Sequence, residues 1–386
     1  MNATSDAIVI GAGIVGISCA LRLAQRGLSV RLIEREIAPA TGSTGRSAAG
    51  VRHQFSEAVN VQLSRDSIAE YRAMSQSGYR PIGYLFLVPE SDWPAQLDAI
   101  AMQRAMGLNV EALTPQEAAR ILPSNLNGIA GASWCADDGI VDPHSICMAW
   151  LSQARALGVK LQTSSEVCAI EQTPGGWQIQ CQDSRDRSAQ LHQAPILVNA
   201  AGAWAGQVAA LAGLNVPVGP ARRMIFVTGP LPESLRRAHW YPLTVDMTTG
   251  FWLRSEHERL IFGLSNPQDS GFSQGIDWEW LEPTCEAALE RFPWFEQLSI
   301  DRRASWWGYY EDTPDHNPIL GAMPGMSGWI NACGFSGHGV QQAAATGRLI
   351  AQEALGERTS IDLSTLRIER FSGQTDPGKA SERLIV

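Results

Sequence analysis

The sequence predicts an α/β protein in which a dinucleotide-binding domain is interleaved with a smaller, mostly antiparallel β cap. Three observations carry that expectation. Ala7-Ile8-Val9-Ile10 is an apolar run of strand length that leads into Gly11-Ala12-Gly13-Ile14-Val15-Gly16, a full G-x-G-x-x-G. Helical spacing follows to Gln25, and a second apolar run from Ser29 to Ile33 ends at Glu34. A strand running into a turn of small residues recurs twice, at Asn199-Ala200-Ala201-Gly202-Ala203-Trp204 and at Gly334-Phe335-Ser336-Gly337-His338-Gly339. Between these turns, Val216 to Thr228 and Gly250 to Gly263 alternate like half-buried strands. The first pattern is a complete Rossmann-like unit. Its first glycine allows a tight turn, its second lets backbone approach a pyrophosphate, and its third lets helix pack on strand. The helix N-terminus offers N–H groups and a positive dipole end to that pyrophosphate. Glu34 stands near the usual offset for a carboxylate that binds a ribose diol and repels a 2′-phosphate. This unit alone leaves NAD and FAD both open.

The chain in order supports the interleaving. After Glu34 comes Ile37 to Gly50, with the core Gly42-Ser43-Thr44-Gly45-Arg46-Ser47-Ala48-Ala49-Gly50. An NAD unit runs straight into its next helix, whereas a long loop of small residues suits a flavin ring that extends past the pyrophosphate. Glu57 to Met74 has helical spacing, Ile82 to Val88 reads as a strand leaving the first domain, and Trp93 to Met106 reads as a helix. Thr114-Pro115-Gln116-Glu117 has a capping-box pattern. Gly131 to Val141 is strand-like; then Asp142 as N-cap and Pro143 at the first helical position open a helix to Leu157. Val159 to Gln162 and Glu166 to Ile170 read as strands returning to the nucleotide domain. Gly176 to Gln180 reads as a hairpin arm and Ala194 to Asn199 as a strand. Later come a helix from Trp278 to Phe292, an aromatic strand from Arg303 to Tyr310, a buried strand from Gly328 to Ala332 and a helix from Val340 to Leu355. This assigns 1–80, 145–215 and 315–358 to the nucleotide domain and 81–144 and 216–314 to the cap. Residues 359–386 are expected to form a polar tail lying on the surface.

Composition narrows the function classes. A chain of 386 residues suits two domains or one large α/β body. A formal net charge of −9 argues against nucleic acid and anionic membrane surfaces as general partners. Seven scattered cysteines, odd in number and without C-x-x-C, are neither a disulfide framework nor a zinc site. The first apolar run is broken by glycines and preceded by Asp6, so it reads as neither signal peptide nor transmembrane segment. A cytoplasmic location is expected, with association to a membrane through an electron acceptor left open.

The chain resembles the flavin-dependent amine and amino-acid oxidoreductases related to D-amino acid oxidase, glycine oxidase and sarcosine oxidase. Four places carry the resemblance: Gly11 to Gly16 with Glu34; Gly42 to Arg52; Leu197 to Trp204; and Tyr309 to Gly321 with Gly334 to Gln341. Gly45 to Arg52 and Gly334 to Gly339 look most like the sarcosine oxidase β-subunit and the proline or opine dehydrogenase branch. The resemblance implies FAD. It places Gly11, Gly13, Ile14, Val15 and Gly16 at the pyrophosphate and Glu34, with Arg35, at the adenosine ribose. Ser43, Thr44, Gly45, Arg46, Ser47, Ala49 and Gly50 would lie beside the flavin. Val167 would meet the adenine edge, and Ala200, Ala201, Gly202 and Trp204 would approach the pyrophosphate. Gly337, His338, Gly339, Val340 and Gln341 would face the pyrimidine side, where a helix dipole stabilises negative charge on the reduced ring. Two departures from the family matter. Gly308 occupies the position of the cysteine that binds flavin in monomeric sarcosine oxidases, and no histidine stands in the Gly45-Arg46 loop, so non-covalent FAD is expected. Ile261 falls where sarcosine oxidases use a lysine to activate oxygen, which favours a quinone or carrier protein over oxygen as electron acceptor.

The reaction expected is loss of hydride from the carbon next to an amine nitrogen, giving an imine that water hydrolyses. A carboxylate-bearing amine or amino-acid substrate calls for an arginine, whose fork matches a carboxylate in bidentate fashion. Arg52, Arg223 and Arg254 are the candidates. Tyr309 and Tyr310 are candidates to orient substrate, and His338 to contact flavin; His53 and His316 have weaker cases. A flavin-binding subunit or assembly factor without independent catalysis, within a homo- or hetero-oligomer, is the alternative, and an NAD-dependent dehydrogenase is a second.

Overall fold

Alternate residues of the first core strand feed two different cores, and that division organises the nucleotide half. In the computed structural model, which describes residues 3–237, 240–269, 271–372 and 382, Ala7–Ile10 is buried throughout. Ala7 and Val9 face one layer of helices, while Ile8 and Ile10 face the opposite side. The strand lies inside a six-stranded sheet in the order Ile319–Ala322, Trp329–Cys333, Ile196–Asn199, Ala7–Ile10, Val30–Ile33, Lys160–Gln162. All pairings are parallel except that of the edge strand Ile319–Ala322. The helices Ile14–Gln25, Ala58–Ala73, Pro143–Ala156 and Gly339–Ala354 cover one face. On the other face lies a four-stranded sheet of Ala3–Thr4, Ala189–Ala194, Gly176–Asp183 and Ser165–Thr173, which contributes Ile170, Trp177 and Ile179 to a shared core.

The cap is an eight-stranded sheet in the order Trp306–Asp312, Gly219–Val227, Arg259–Gly263, Phe251–Glu256, Leu243–Asp246, Tyr84–Pro89, Ile129–Cys135, Glu111–Leu113. It is antiparallel except where Leu243–Asp246 meets Tyr84–Pro89. Alternation again sorts the side chains. Leu85, Leu87, Phe226, Phe251, Leu253 and Phe262 pack outward, against Ala287, Ala288 and Phe292 of the Leu281–Arg291 region. Tyr84, Phe86, Ile225, Leu243 and Trp252 point to the opposite side, toward the nucleotide half.

Several local expectations are met in detail. Thr114 and Glu117 form both bonds of a capping box, and the Asp142 side chain accepts from Ser145 N at the start of Pro143–Ala156. Others are corrected. The stretch read as one strand from Gly131 to Val141 is two: Ile129–Cys135 joins the cap, and Gly139–Ile140 pairs with Gly50–Val51. Buried Asp138 breaks the run by accepting from the backbone and ring of His53 and from the side chain of Gln54. Lys160–Gln162 does extend the parallel sheet, but Ser165–Thr173 opens the separate four-stranded sheet. Glu111–Leu113, Leu243–Asp246 and Ile319–Ala322 are too short to show their periodicity. The expected surface tail is docked instead: Ile361, Leu363 and Leu366 enter the helix-side core and Ile368 the opposite one. Glu382 is buried too, accepting from Ser56 and Asn60; the rest of the tail beyond residue 372 lies outside the described residues. Four apolar residues spread over eight positions of an otherwise polar segment show no period, and only their tertiary neighbours reveal them.

The tightest joint in the helix layer is between Ile14–Gln25 and Gly339–Ala354. A Cβ on Gly347 would stand 2.2 Å from Ser18 Oγ and 2.8 Å from the Ser18 carbonyl carbon. Gly347→Ala is therefore expected to gain nothing from better helix propensity and to cost about 1–3 kcal/mol through overpacking. Urea unfolding of the variant and the parent checks this; equal midpoints would show that the joint yields freely.

Candidate functional site

The N-terminus of the Ile14–Gln25 helix, the Gly42–Gln54 loop and the start of the Gly339–Ala354 helix meet along one cavity of about 700 Å³ that continues under the cap. Its first end is built by the glycine unit. A Cβ on Gly16 would fall 1.9 Å from Gly11 O, so the helix can lie this close to the strand only with glycine there. Glu34 Oε2 accepts from Ala12 N at 2.7 Å and Oε1 from Glu36 N at 2.8 Å, which fixes the carboxyl at the cavity wall. Burial raises its pKa, against those two N–H groups. Thr44 Oγ1 accepts from Ile14 N at 3.0 Å, so the loop itself satisfies one of the helix's open N–H groups. Arg35 and Trp204 stack at 4.2 Å at the same end, with Phe272 and Tyr309 against Trp204.

The loop is then held from both sides. Arg254 Nε donates to Ala48 O at 2.8 Å, and Trp306 Nε1 donates to Arg46 O at 2.8 Å. Ala49 adopts φ 59° and its N–H bonds to Ser47 Oγ at 2.7 Å, which turns the chain into the Gly50–Val51 strand. Arg52 N donates to Gln341 Oε1 at 2.9 Å, tying the loop to the last helix. The Arg52 guanidinium, 1% exposed, donates to Gln54 O and meets His338 Nε2 at 2.9 Å, with the Phe55 ring 4.3 Å away. Arginine has only hydrogens to give, so Nε2 of His338 is an acceptor in this contact and the imidazole is unprotonated there.

Across the cavity the Trp306–Asp312 strand presents Gly308, Tyr309, Tyr310 and Glu311. The Tyr310 ring packs over Gly337 and lies 4.9 Å from the Arg223 guanidinium. Burial raises its pKa, with Arg223 and Arg52 opposing. Arg223 reaches Arg222 O at 3.2 Å and Asp312 at 3.4 Å, and its buried Nε has no hydrogen-bond partner among the described residues. The cap contributes Tyr84, Ile225, Leu243 and Trp252 as an apolar roof.

The structure brings nearly all the sequence-derived residues to this cavity. Gly11, Gly13, Ile14, Val15, Glu34, Arg35, Ser43, Thr44, Arg46, Ser47, Ala49 and Gly50 line it, as do Val167 and Ala200, Ala201, Gly202 and Trp204. So do Arg52, Arg223, Tyr309 and residues 337–341. Gly16 and Gly45 stand behind the wall. Arg254 does not line it either: Ala48 O, Ser255 O and Glu256 occupy its guanidinium, so it braces the loop. His53 is held by Asp138 at 2.6 Å, outside the lining, and His316 is outside it as well. Tyr309 gives its hydroxyl to Ser273 O at 2.8 Å, leaving Tyr310 beside the two arginines. Ile261 is buried behind the roof; among the described residues no lysine lines the cavity, and of the chain's two lysines, Lys160 and Lys379, the second lies outside them. Sequence reasoning missed Glu311 and, apart from Trp252, one of several late tryptophans expected to line a pocket or fill a core, the roof. A carboxylate inside an aromatic strand was the available signal for the first; the roof residues come from separate strands.

The lining fits a flavin dinucleotide on its own terms. A glycine turn at a helix N-terminus, the Glu34 carboxylate after the next strand of the sheet, and a second helix N-terminus beyond a loop of small residues line one cavity together.

Comparison with known proteins agrees. The family described as FAD dependent oxidoreductase (DAO) matches residues 6–353. The chain is 31% identical over 422 residues to FAD-dependent oxidoreductase domain-containing protein 1 of Bos taurus, covering 95% of this chain and 85% of that one. It is 26% identical over 399 residues to mitochondrial dimethylglycine dehydrogenase of Mus musculus, covering 96% of this chain but 44% of the larger protein. Among solved structures, L-proline dehydrogenase from P. horikoshii superposes with a TM-score of 0.86 at 27% identity, covering 96% of this chain and 99% of the other. Glycine oxidase from Geobacillus kaustophilus shares the fold at a TM-score of 0.81 and 23% identity, covering 96% and 100%. The chain therefore belongs to the FAD dependent oxidoreductase (DAO) family and is an FAD-dependent oxidoreductase.

Proposed function

We propose that this enzyme oxidises the carbon–nitrogen bond of a carboxylate-bearing amine, either a secondary amine such as an N-alkyl or cyclic amino acid, or an opine. The observation that carries this reading is the pair of guanidiniums, Arg52 and Arg223, that flank Tyr310 on the wall facing the apolar roof. Bound FAD supplies the two-electron acceptor that the protein's own side chains lack. Arg223, which lines the cavity and whose hydrogen bonds among the described residues are only those to Arg222 O at 3.2 Å and Asp312 at 3.4 Å, holds the substrate carboxylate; Arg52, committed to His338 and Gln54 O, keeps the terminal turn in place. Tyr84, Ile225, Leu243 and Trp252 exclude water from the substrate's carbon chain. That environment favours the neutral amine, the form able to give up hydride, so no strong protein base is required. Water outside the roof then hydrolyses the imine. Ile261, buried behind the roof at the position where the resemblance puts an oxygen-activating lysine, and a lining without lysine among the described residues support an acceptor other than oxygen, a quinone or a carrier protein. Gly308 at the cavity wall, where a sulfur would be needed for attachment, supports non-covalent FAD.

Three outcomes are expected. First, purified holoprotein mixed without oxygen with N-alkyl, cyclic, D- and L-amino acids and opines loses its flavin absorbance with at least one of them. If every compound leaves the flavin oxidised, a subunit role without independent catalysis replaces this reading. Second, Arg223→Gln raises KM for the carboxylate substrate roughly 10- to 100-fold, the worth of a charge-assisted hydrogen bond, and leaves kcat within a few-fold. An unchanged KM would move the clamp to Arg52. Third, acid denaturation releases all flavin from the polypeptide, read as absorbance in the soluble fraction; colour retained on the precipitated chain would show a covalent link.

A further inference from the structure

Glu311 is a carboxylic acid on the cavity wall for which the hydride chemistry above has no use. It follows Tyr310 on the Trp306–Asp312 strand and lines the cavity with Ser336, Gly337, His338 and Gly339. Its Oε2 accepts from Gly334 N at 2.9 Å, and its main-chain carbonyl accepts from Ser336 N at 3.1 Å. Its Oε1 stands 3.7 Å from where a Cβ on Gly339, the first residue of the last long helix, would lie. The acid is thus pinned at the positive end of that helix, the end expected to meet the pyrimidine edge of the flavin. The charged and titratable groups facing it are few. Asp312 comes from its own strand, with Arg223 of Gly219–Val227 drawn to Asp312 at 3.4 Å. Cys333 comes from Trp329–Cys333, and His338 from the turn before the helix. Burial pushes the Glu311 carboxyl up to about 7, opposed by the N–H groups of Gly334 and Phe335 and assisted by Asp312.

We propose that Glu311 is a proton store coupled to the flavin: it is a carboxylate beside the oxidised ring and takes up one proton when the ring is reduced. The balance is as follows. A hydride brings two electrons and one proton to the ring, which is left with one net negative charge; the second proton comes from solvent and adds to a Glu311 oxygen. When two electrons pass to the acceptor, the ring returns its proton and Glu311 releases the other. Two negative charges in one buried, low-dielectric cavity repel strongly, and Glu311 is the carboxylic acid among the described residues that lines the end of the cavity formed by residues 336–341. The sign is fixed by that repulsion: reduction raises the proton affinity of Glu311, so the reduced state gains stability from it as pH falls. The inference depends on reduction of bound FAD and not on the substrate, so chemical or electrode reduction tests it independently of the reading above.

The experiment is the flavin midpoint potential of the holoprotein against pH, by spectroelectrochemistry. Each proton taken up with the two electrons contributes about 30 mV per pH unit. Between about pH 7 and 9 the parent is expected to fall by about 60 mV per unit, Glu311→Gln by about 30, and Glu311→Asp to keep a steep section at shifted pH. A parent slope of about 30 mV per unit would overturn the proposal, as would a Gln variant that keeps the steep slope. Should Glu311→Gln fail to hold flavin, the reduced-minus-oxidised infrared spectrum of the parent decides. A gained protonated-carboxyl band that Glu311→Asp shifts supports the store, and no such band overturns it.

Discussion

The buried guanidinium of Arg52 is the constraint on which the site depends. A charge at 1% exposure costs several kcal/mol unless its donors are met, so everything around it must hold its position. His338 comes from the turn before the last helix, the Gln54 carbonyl from the loop itself, and the rings of Phe55, Phe86 and Tyr84 from the loop and cap. Its own N–H is spent on Gln341, and its carbonyl accepts from Ser64. One residue therefore binds the flavin-side loop, the terminal turn and a cap strand to each other. This explains how a loop of glycine, serine and alanine, which would wander alone, forms a defined wall.

Around that joint the polar work is divided by location. Backbone N–H groups and small side chains serve the dinucleotide end, where the ligand carries the charge and the protein must come close. Side-chain charges sit toward the cap: Arg223 beside Tyr310, Asp312 beside Arg223, and Glu311 behind them at the helix end. The roof above is apolar because its strands alternate, sending Tyr84, Ile225, Leu243 and Trp252 to one side and Phe226, Phe251 and Phe262 to the other. The cap side of the cavity is thus built by residues from strands far apart in the chain, while the dinucleotide end is written in short continuous motifs.

That contrast governs how much was readable in advance. Gly11 to Gly16 with Glu34 could be read because the spacing within one strand–turn–helix fixes the geometry locally. The caps at Thr114 and Asp142 were readable for the same reason. The arginines were not separable: Arg52, Arg223 and Arg254 look equivalent as letters, and only the carbonyls and carboxylates around them show that Arg254 braces Ala48 while Arg223 keeps a donor. Tyr309 and Tyr310 differ by one position, so the pleat alone sends one to Ser273 and the other over Gly337. The chain beyond Gly356 reads as polar because the apolar residues it buries among those described, Ile361, Leu363, Leu366 and Ile368, are too few to form a pattern.

By itself, then, the sequence determined the class of fold, the dinucleotide unit and the family, since each rests on residues that act through their immediate neighbours along the chain. The tertiary structure decided which arginines line the cavity, which tyrosine packs over Gly337, and that Glu311 is a buried acid at a helix N-terminus. Those properties depend on desolvation and on partners contributed by distant strands, and neither has any signature in local order.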